Sequence, residues 1–362
     1  MKITSTLILI ACLACFTCNS QSPTSTRSDK FSFDLSFLDK ELMKSGIDSS
    51  GYLIFNDSII EKKIRAALHI KAEMGVPASI ADTVTLLDLS NGRSTPVGQQ
   101  IEKVDVLAFF RNLKKLNLQN NQIRNLTPLG QLTQLTELNA QNNRIFEISG
   151  LGNLQSLEKL NLYANGVSDI SCLSELQRLT ELNLYANQVY DLKSLQELKN
   201  LTSLNLGMNQ IRDISPLLNS KKLKVLWLIG NYIDNPEVIA EIGDNLEVLS
   251  LTNCRISKIN FLENCTKLKS LMISGNSVKD ISILRNMVNL NTLYASGNQI
   301  ENIDVIAFLV RMGAFRKSEG FRNPGSMVNT NIDLSGNKID YQNPVNQKIR
   351  QYLTEKIPGV VF

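Results

Sequence analysis

One spacing dominates this chain. From about residue 110 to about residue 310 the skeleton LxxLxLxxN, followed two positions later by an apolar residue, returns nine times, as in LKKLNLQNNQI, LEKLNLYANGV and LTSLNLGMNQI. Its asparagines are Asn121, Asn143, Asn165, Asn187, Asn209, Asn231, Asn276 and Asn298, with Cys254 in the same column; every step is 22 residues except one of 23. A strict period of this length points to stacked turns, because one such unit cannot bury its apolar face alone.

The columns follow from that demand. Alternating leucines, such as Leu204 and Leu206, predict a short strand with both side chains turned inward and the residues between them outward. Stacking such strands gives a parallel sheet on the inner side, and each fully buried Leu or Ile contributes about 1.5–3 kcal/mol against the entropy of ordering its repeat. The asparagine turns the chain away from the sheet, and its amide satisfies backbone groups that would cost about 1–3 kcal/mol each if buried unpaired. Cys254 in that column and Cys265 in an inward leucine column are expected to be packed, free thiols.

The spacing and the tail NxIxDIxxL, present as NQIRDISPL from Asn209, resemble the 22-residue leucine-rich repeats of bacterial internalins and of eukaryotic phosphatase-regulating repeat proteins. The resemblance covers roughly residues 80 to 340. It implies an α/β solenoid, a leucine-rich-repeat right-handed superhelix with a parallel β-sheet on its concave face and a helical cap at each end. It is specific for fold and says little about the partner.

The chain starts Met1-Lys2, continues with an apolar run from Ile3 to Phe16, and turns polar in NSQSPTSTRSDK, which reads as an export signal and a tether. Cys12, Cys15 and Cys18 at the end of the run resemble the lipid-accepting cysteine of bacterial lipoprotein signals, and Cys15, then Cys18, are the expected lipidation sites. A plain secretory signal is the alternative. The expected layout is a signal over 1–18, a tether over 19–32, an N-terminal cap over 33–80, repeats over 81–340 and a closing helix over 341–362. FDLSFLDKELMKSG and SIIEKKIRAALHIKAEM are the cap's two predicted helices. TVTLLDLSNG is a degenerate first coil with Leu87 and Leu89 inward and Gly92 in the asparagine position; NTNIDLSGNKI is the last coil, with Ile332, Leu334 and Asn337 in register. The 39 residues from Asn298 to Asn337 exceed one period, so a surplus at about 308–328 must leave the coil, either as a binding excursion or as part of the cap.

Several functions are disfavoured. A single histidine, His69, lies in a helical pattern, so triads and multi-histidine metal sites have no material, and no metal or other cofactor is expected. The net charge is only +4 and no basic run appears, which argues against nucleic acid. No paired carboxylates or glycine-rich phosphate loop stand outside the repeat register, so the chain reads as a binding protein rather than an enzyme.

The outward columns carry the binding hypothesis. Four residues before the asparagine stand Asn117, Asn139, Asn161, Asn183, Asn205, Trp227, Ser250, Met272 and Tyr294; two before it are Gln119, Gln141, Tyr163, Tyr185, Gly207 and Ile229. Tyr163, Tyr185, Trp227, Ile229, Met272 and Tyr294 are the candidate contacts for a protein partner, since exposed aromatics mark interfaces. Mutual packing of the aromatics is the structural alternative. The asparagine row suggests a glycan as the alternative partner, or a mutual amide ladder. Lys115, Glu137, Lys159 and Glu181 alternate along neighbouring coils, as self-neutralising stacked strands would.

Overall fold

The computed structural model describes residues 46–315 and 331–362. Each copy of the leucine pair forms a strand of two or three residues around its first member, and among the described residues the strands stack in sequence order into one parallel sheet of eleven. These are β1 (Leu86–Asp88), β2 (Lys115–Asn117), β3 (Glu137–Asn139), β4 (Lys159–Asn161), β5 (Glu181–Asn183), β6 (Ser203–Asn205), β7 (Val225–Trp227), β8 (Val248–Ser250), β9 (Ser270–Met272), β10 (Thr292–Tyr294) and the two-residue β11 (Ile332–Asp333). The register never slips: Leu87, Leu116, Leu138, Leu160, Leu182, Leu204, Leu226, Leu249, Leu271, Leu293 and Ile332 lie side by side, all buried. The expected solenoid with a parallel sheet is therefore the observed fold.

The opposite side of most coils is a short 3-10 helix, such as Thr127–Gln131, Ser171–Glu175 or Lys193–Glu197, whose central leucine (Leu129, Leu173, Leu195) is fully buried. This helix rises faster per residue than an α-helix, so five residues suffice to return the chain to the next strand. The aspartate of the tail starts it: Asp169, Asp213 and Asp280 each accept the N–H two residues on, at 2.8 Å. Those bonds from Ser171, Ser215 and Ser282 hold the three carboxyls below the usual carboxylate range.

The asparagine column binds coil to coil as well as turning the chain. Asn187 Nδ2 donates to Leu184 O and Tyr185 O in its own coil and to Leu162 O in the preceding one, while its Oδ1 accepts Val167 N–H from that preceding coil. Asn121, Asn143, Asn165, Asn209, Asn276 and Asn298 repeat this pattern, and Asn231 and Asn337 make its central bonds. At Cys254 only the thiol remains, donating to Leu228 O at 3.2 Å and Thr252 O at 3.4 Å. Burial pushes the thiol up to about 11 and that of Cys265 up to about 12, so both are inert at neutral pH.

Immediately before the column asparagine lies a position that the sequence pattern does not reveal. Asn120, Asn142, Ala164, Ala186, Met208, Gly230, Asn253, Gly275, Gly297 and Gly336 all have φ between 51° and 72°, the left-handed region. Asparagine and glycine enter it readily, whereas Ala164, Ala186 and Met208 do so at a cost of roughly 1–2 kcal/mol each.

The coil of 23 residues is locally different. A short α-helix (Val238–Ile242) precedes a shortened 3-10 helix (Gly243–Asn245) there, and in the next coil Lys258 occupies the acceptor position, where the 3-10 helix shrinks to Asn260–Leu262. Among the described residues, the N-terminal end is covered by α1 (Ser58–Ala67). Asp57 Oδ1 caps it through Ile59 and Ile60 N–H, and Oδ2 accepts the N–H groups of Glu102 and Lys103. The helical pattern through Met74 is cut short at Ala67. Leu68 is the C-cap, and His69 at φ 56° is exposed, with His69 N–H on Ala66 O and Ile70 N–H on Arg65 O closing the end. His69 is thus a helix-terminating residue and not a helix-face one. The other predicted cap helix lies chiefly outside the described residues.

At the far end α2 (Asp304–Arg311) buries Val305, Ile306 and Leu309, and α3 (Pro344–Lys356) packs on it, with Arg311 5.5 Å from the Tyr352 ring centroid. The first part of the surplus segment therefore belongs to the cap; 316–330 lie outside the described residues. The last residues add an edge: Val361 pairs with Asp333, donating to Ile332 O and accepting from Leu334 N–H.

Candidate binding surface

The outward sides of β1–β7 line a groove of about 600 Å³, bounded at one end by Trp227. Its outer wall is the charged column. Lys115 pairs with Glu137 at 2.8 Å and Lys159 with Glu181 at 2.6 Å, both well exposed, so the alternation cancels itself and each pair contributes little in solvent.

The asparagine row forms the floor, and it is not a mutual ladder. Each side-chain oxygen turns back onto its own coil: Asn161 Oδ1 accepts Tyr163 N–H, Asn183 accepts Tyr185 N–H and Asn205 accepts Gly207 N–H, all at 3.1 Å. This fixes the amide with its NH2 pointing along the sheet. Asn139 and Asn161 donate onward to the glutamines of the preceding coil, Gln119 and Gln141.

Beside the floor runs an apolar ridge. Tyr163 and Tyr185 stack with ring centroids 5.1 Å apart and planes within 7°. The next coil has glycine: a Cβ on Gly207 would fall 2.4 Å from Ile229 and 2.7 Å from Tyr185, so its absence lets those two side chains close over the strand. Burial, reinforced by Tyr163, pushes the Tyr185 hydroxyl up, so that group is uncharged at neutral pH. Tyr163, Tyr185, Trp227, Ile229 and Tyr294 are all half-buried.

Met272 is a correction. It points to the outer side of the sheet but is only 3% exposed, in register between Ser250 and Tyr294. Val248, Ser250, Ser270 and Thr292 are buried as well, so over β8 and β9 the outward face is as inaccessible as the inward one, and Met272 cannot contact a partner in this conformation. Cys15 and Cys18 lie outside the described residues. Sequence reasoning also passed over exposed aromatics beyond the sheet. Phe146 and Tyr190 stand three residues after their asparagines, 60% and 65% exposed, and Tyr232 lies under the Arg255 guanidinium at 3.8 Å. Reading the column Arg124, Phe146, Ser168, Tyr190, Arg212 would have found the first two; Tyr232 stands directly after its asparagine, in another column.

Among the described residues no group of three or more His, Cys, Asp or Glu is placed to hold a metal ion, and no helix is long and apolar enough to cross a membrane.

A stack of short parallel strands joined by buried asparagines, with its variable residues on the concave side, defines a repeat scaffold. The chain belongs to the leucine-rich-repeat family: the model described as "Leucine Rich repeats (2 copies)" matches residues 111–153, 133–175, 177–219, 199–241, 244–286 and 266–308, together more than half of the chain. Among solved structures it is similar to an internalin (inlF) from Listeria monocytogenes, at 28% identity and TM-score 0.53, covering 80% of this chain and 92% of that one. Internalin C2 of the same organism is 28% identical, with TM-score 0.55 and coverage of 61% and 94%. The Leptospira interrogans LRR protein LIC12759 shares the fold at 22% identity and TM-score 0.54, covering 77% of this chain and 84% of that one. No curated protein matches the sequence. Leucine-rich-repeat proteins commonly mediate protein–protein interaction, and internalin-like relatives are typically surface or secreted proteins.

Proposed function

We propose that this chain is an exported, lipid-anchored protein that binds a protein partner through the part of its concave face formed by β2–β7. The observation that carries the reading is the ridge of Tyr163, Tyr185 and Ile229 beside Trp227, half-exposed on an otherwise polar sheet. Aromatic side chains supply large contact area at little entropic cost and are concentrated in binding hot spots. A second feature coincides with it. Ala164, Ala186 and Met208, the three left-handed residues with a side chain other than asparagine's in that column, directly follow Tyr163, Tyr185 and Gly207; backbone strain held in place at one patch is a signature of functional sites. Tyr294, half-buried on β10, stands apart from this patch beyond the closed outward faces of β8 and β9.

A pull-down comparing the wild-type protein with a Tyr185→Ala, Trp227→Ala double variant tests this reading. Loss of a partner from the variant is expected, and recovery of the same partners at equal strength would remove the aromatic patch from the account. Glycan binding is the second reading, favoured by the floor amides next to stacked tyrosines. Glycan-array signal abolished by Tyr185→Ala would establish it in place of the first. Anchoring rests on the cysteines at the end of the apolar run: Cys15→Ala, or failing that Cys18→Ala, is expected to abolish incorporation of labelled palmitate, and undiminished label in the double variant would leave a plain export signal.

A further inference from the structure

The asparagine row changes character at β5, and the reason lies one column away. Asn139 and Asn161 place their amide hydrogens on the side-chain oxygens of Gln119 and Gln141 in the preceding coil. For Asn183 and Asn205 the corresponding residues are Tyr163 and Tyr185, whose side chains carry no carbonyl, and for Trp227 it is Gly207. Each oxygen of Asn183 and Asn205 is already committed to a backbone N–H, so the free valence is a donor in both. Asn183 Nδ2, Asn205 Nδ2 and the Trp227 indole N–H find no partner among the described residues, and they sit in register on three consecutive strands. The exchange of glutamine for tyrosine that builds the ridge thus leaves a row of neutral donors beside it.

A ligand for this row must bring acceptors, must not need a counter-charge, and must lay an apolar surface on the ridge. Spacing narrows the choice. Neighbouring strands are about 4.8 Å apart, so the backbone positions that carry Asn183 and Trp227 stand about 9.6 Å apart along the groove. An ordinary β-strand presents same-side carbonyls at about 6.6 Å, which matches neither one interval nor two. A polyproline II helix repeats every three residues at about 9.3 Å and makes no internal hydrogen bonds, so its carbonyls are all available. Its proline rings also pack on parallel aromatic faces. The geometry points to a proline-rich, extended segment of the partner as the occupant of this groove, laid across β5–β7 with carbonyls three residues apart on Asn183 and Trp227 and proline rings against Tyr163, Tyr185 and Ile229. This rests on the protein-partner reading above and specifies the part of the partner that is recognised.

Trp227 is the chain's one tryptophan, so its emission reports on the groove directly. The probe is an array of synthetic peptides of about nine residues with prolines three apart at every register, a length that spans the groove at about 3.1 Å per residue. Proline-free scrambles and soluble chito- and malto-oligosaccharides serve as comparisons. Saturable change of Trp227 emission by a proline-containing register is expected, weakened about tenfold in an Asn183→Ala, Asn205→Ala variant that keeps the wild-type melting temperature. Equal response to scrambled peptides, response only to the sugars, or no response at all would overturn it. If the pull-down partner is lost with Tyr185→Ala, Trp227→Ala but is held undiminished by Asn183→Ala, Asn205→Ala, this inference fails while the protein-binding reading stands.

Discussion

The coils of β2–β6 and those of β8–β10 are built on one interior and carry opposite exteriors. Both have the same buried leucine register. In the first group the outward positions of the strands are lysine, glutamate, serine and asparagine, all at least partly exposed; in the second, Val248, Ser250, Ser270, Met272 and Thr292 are closed off. The left-handed column differs in parallel, with asparagine, alanine and methionine over β2–β6 and mainly glycine from Gly230 onward. Inner and outer columns answer to separate demands: the first to burial, which is the same in every coil, and the second to whatever each stretch of the face must contact.

Removing a column residue from each group should give the largest contrast. Asn187→Ala strips one coil junction of donors and an acceptor that reach both coils, and should lower stability by about 2–4 kcal/mol. Cys254→Ala removes only weak thiol bonds and a small packed group, and should cost about 1 kcal/mol. Urea unfolding of the two variants checks this, and equal losses would mean that the asparagine bonds are not what joins the coils.

The next effect in size lies in the left-handed column and should change sign between the groups. Ala186→Gly relieves a strained φ and is expected to raise stability by up to about 1 kcal/mol. Gly275→Ala imposes that strain and places a Cβ 1.9 Å from Asn253 Oδ1, so it should destabilise by more. Thermal midpoints that move in the same direction for both substitutions would contradict the assignment.

The smallest effect is that of acid. Asp169, Asp213 and Asp280 have folded-state pKa values held below their unfolded ones by backbone N–H bonds, so their contribution is present above the unfolded value near about 4 and is lost as pH falls through the lower folded value. All three are solvent-exposed, and screening keeps each contribution small. Exchanging the three for asparagine retains an acceptor and should flatten the fall of the melting temperature below about pH 4; an unchanged slope would locate the acid sensitivity elsewhere.

The interior was legible in the sequence because burial repeats: a leucine that faces inward in one coil faces inward in all, and even the degenerate ends, Leu87 with Gly92 and Ile332 with Asn337, follow the register. What was not legible depends on neighbours in space. The left-handed column holds four residue types with no common side chain, so no pattern marks it. Met272 was expected to be exposed because strand alternation tells which way a side chain points and not whether anything lies above it. The asparagine row looked like a ladder, yet each oxygen had a nearer donor in its own backbone. His69 ends a helix without the glycine or proline that announces such ends.

The contrast between the two stretches of the concave face can be measured by native thiol labelling. In the otherwise wild-type protein, Asn183→Cys and Met272→Cys each place one cysteine at the same column position of the sheet, and the buried native thiols of Cys254 and Cys265 serve as internal controls. With a soluble maleimide and site assignment by mass spectrometry, the cysteine at 183 is predicted to label under native conditions, while that at 272 labels only once the protein unfolds. Equal native labelling at both positions would contradict an open groove that ends at Trp227.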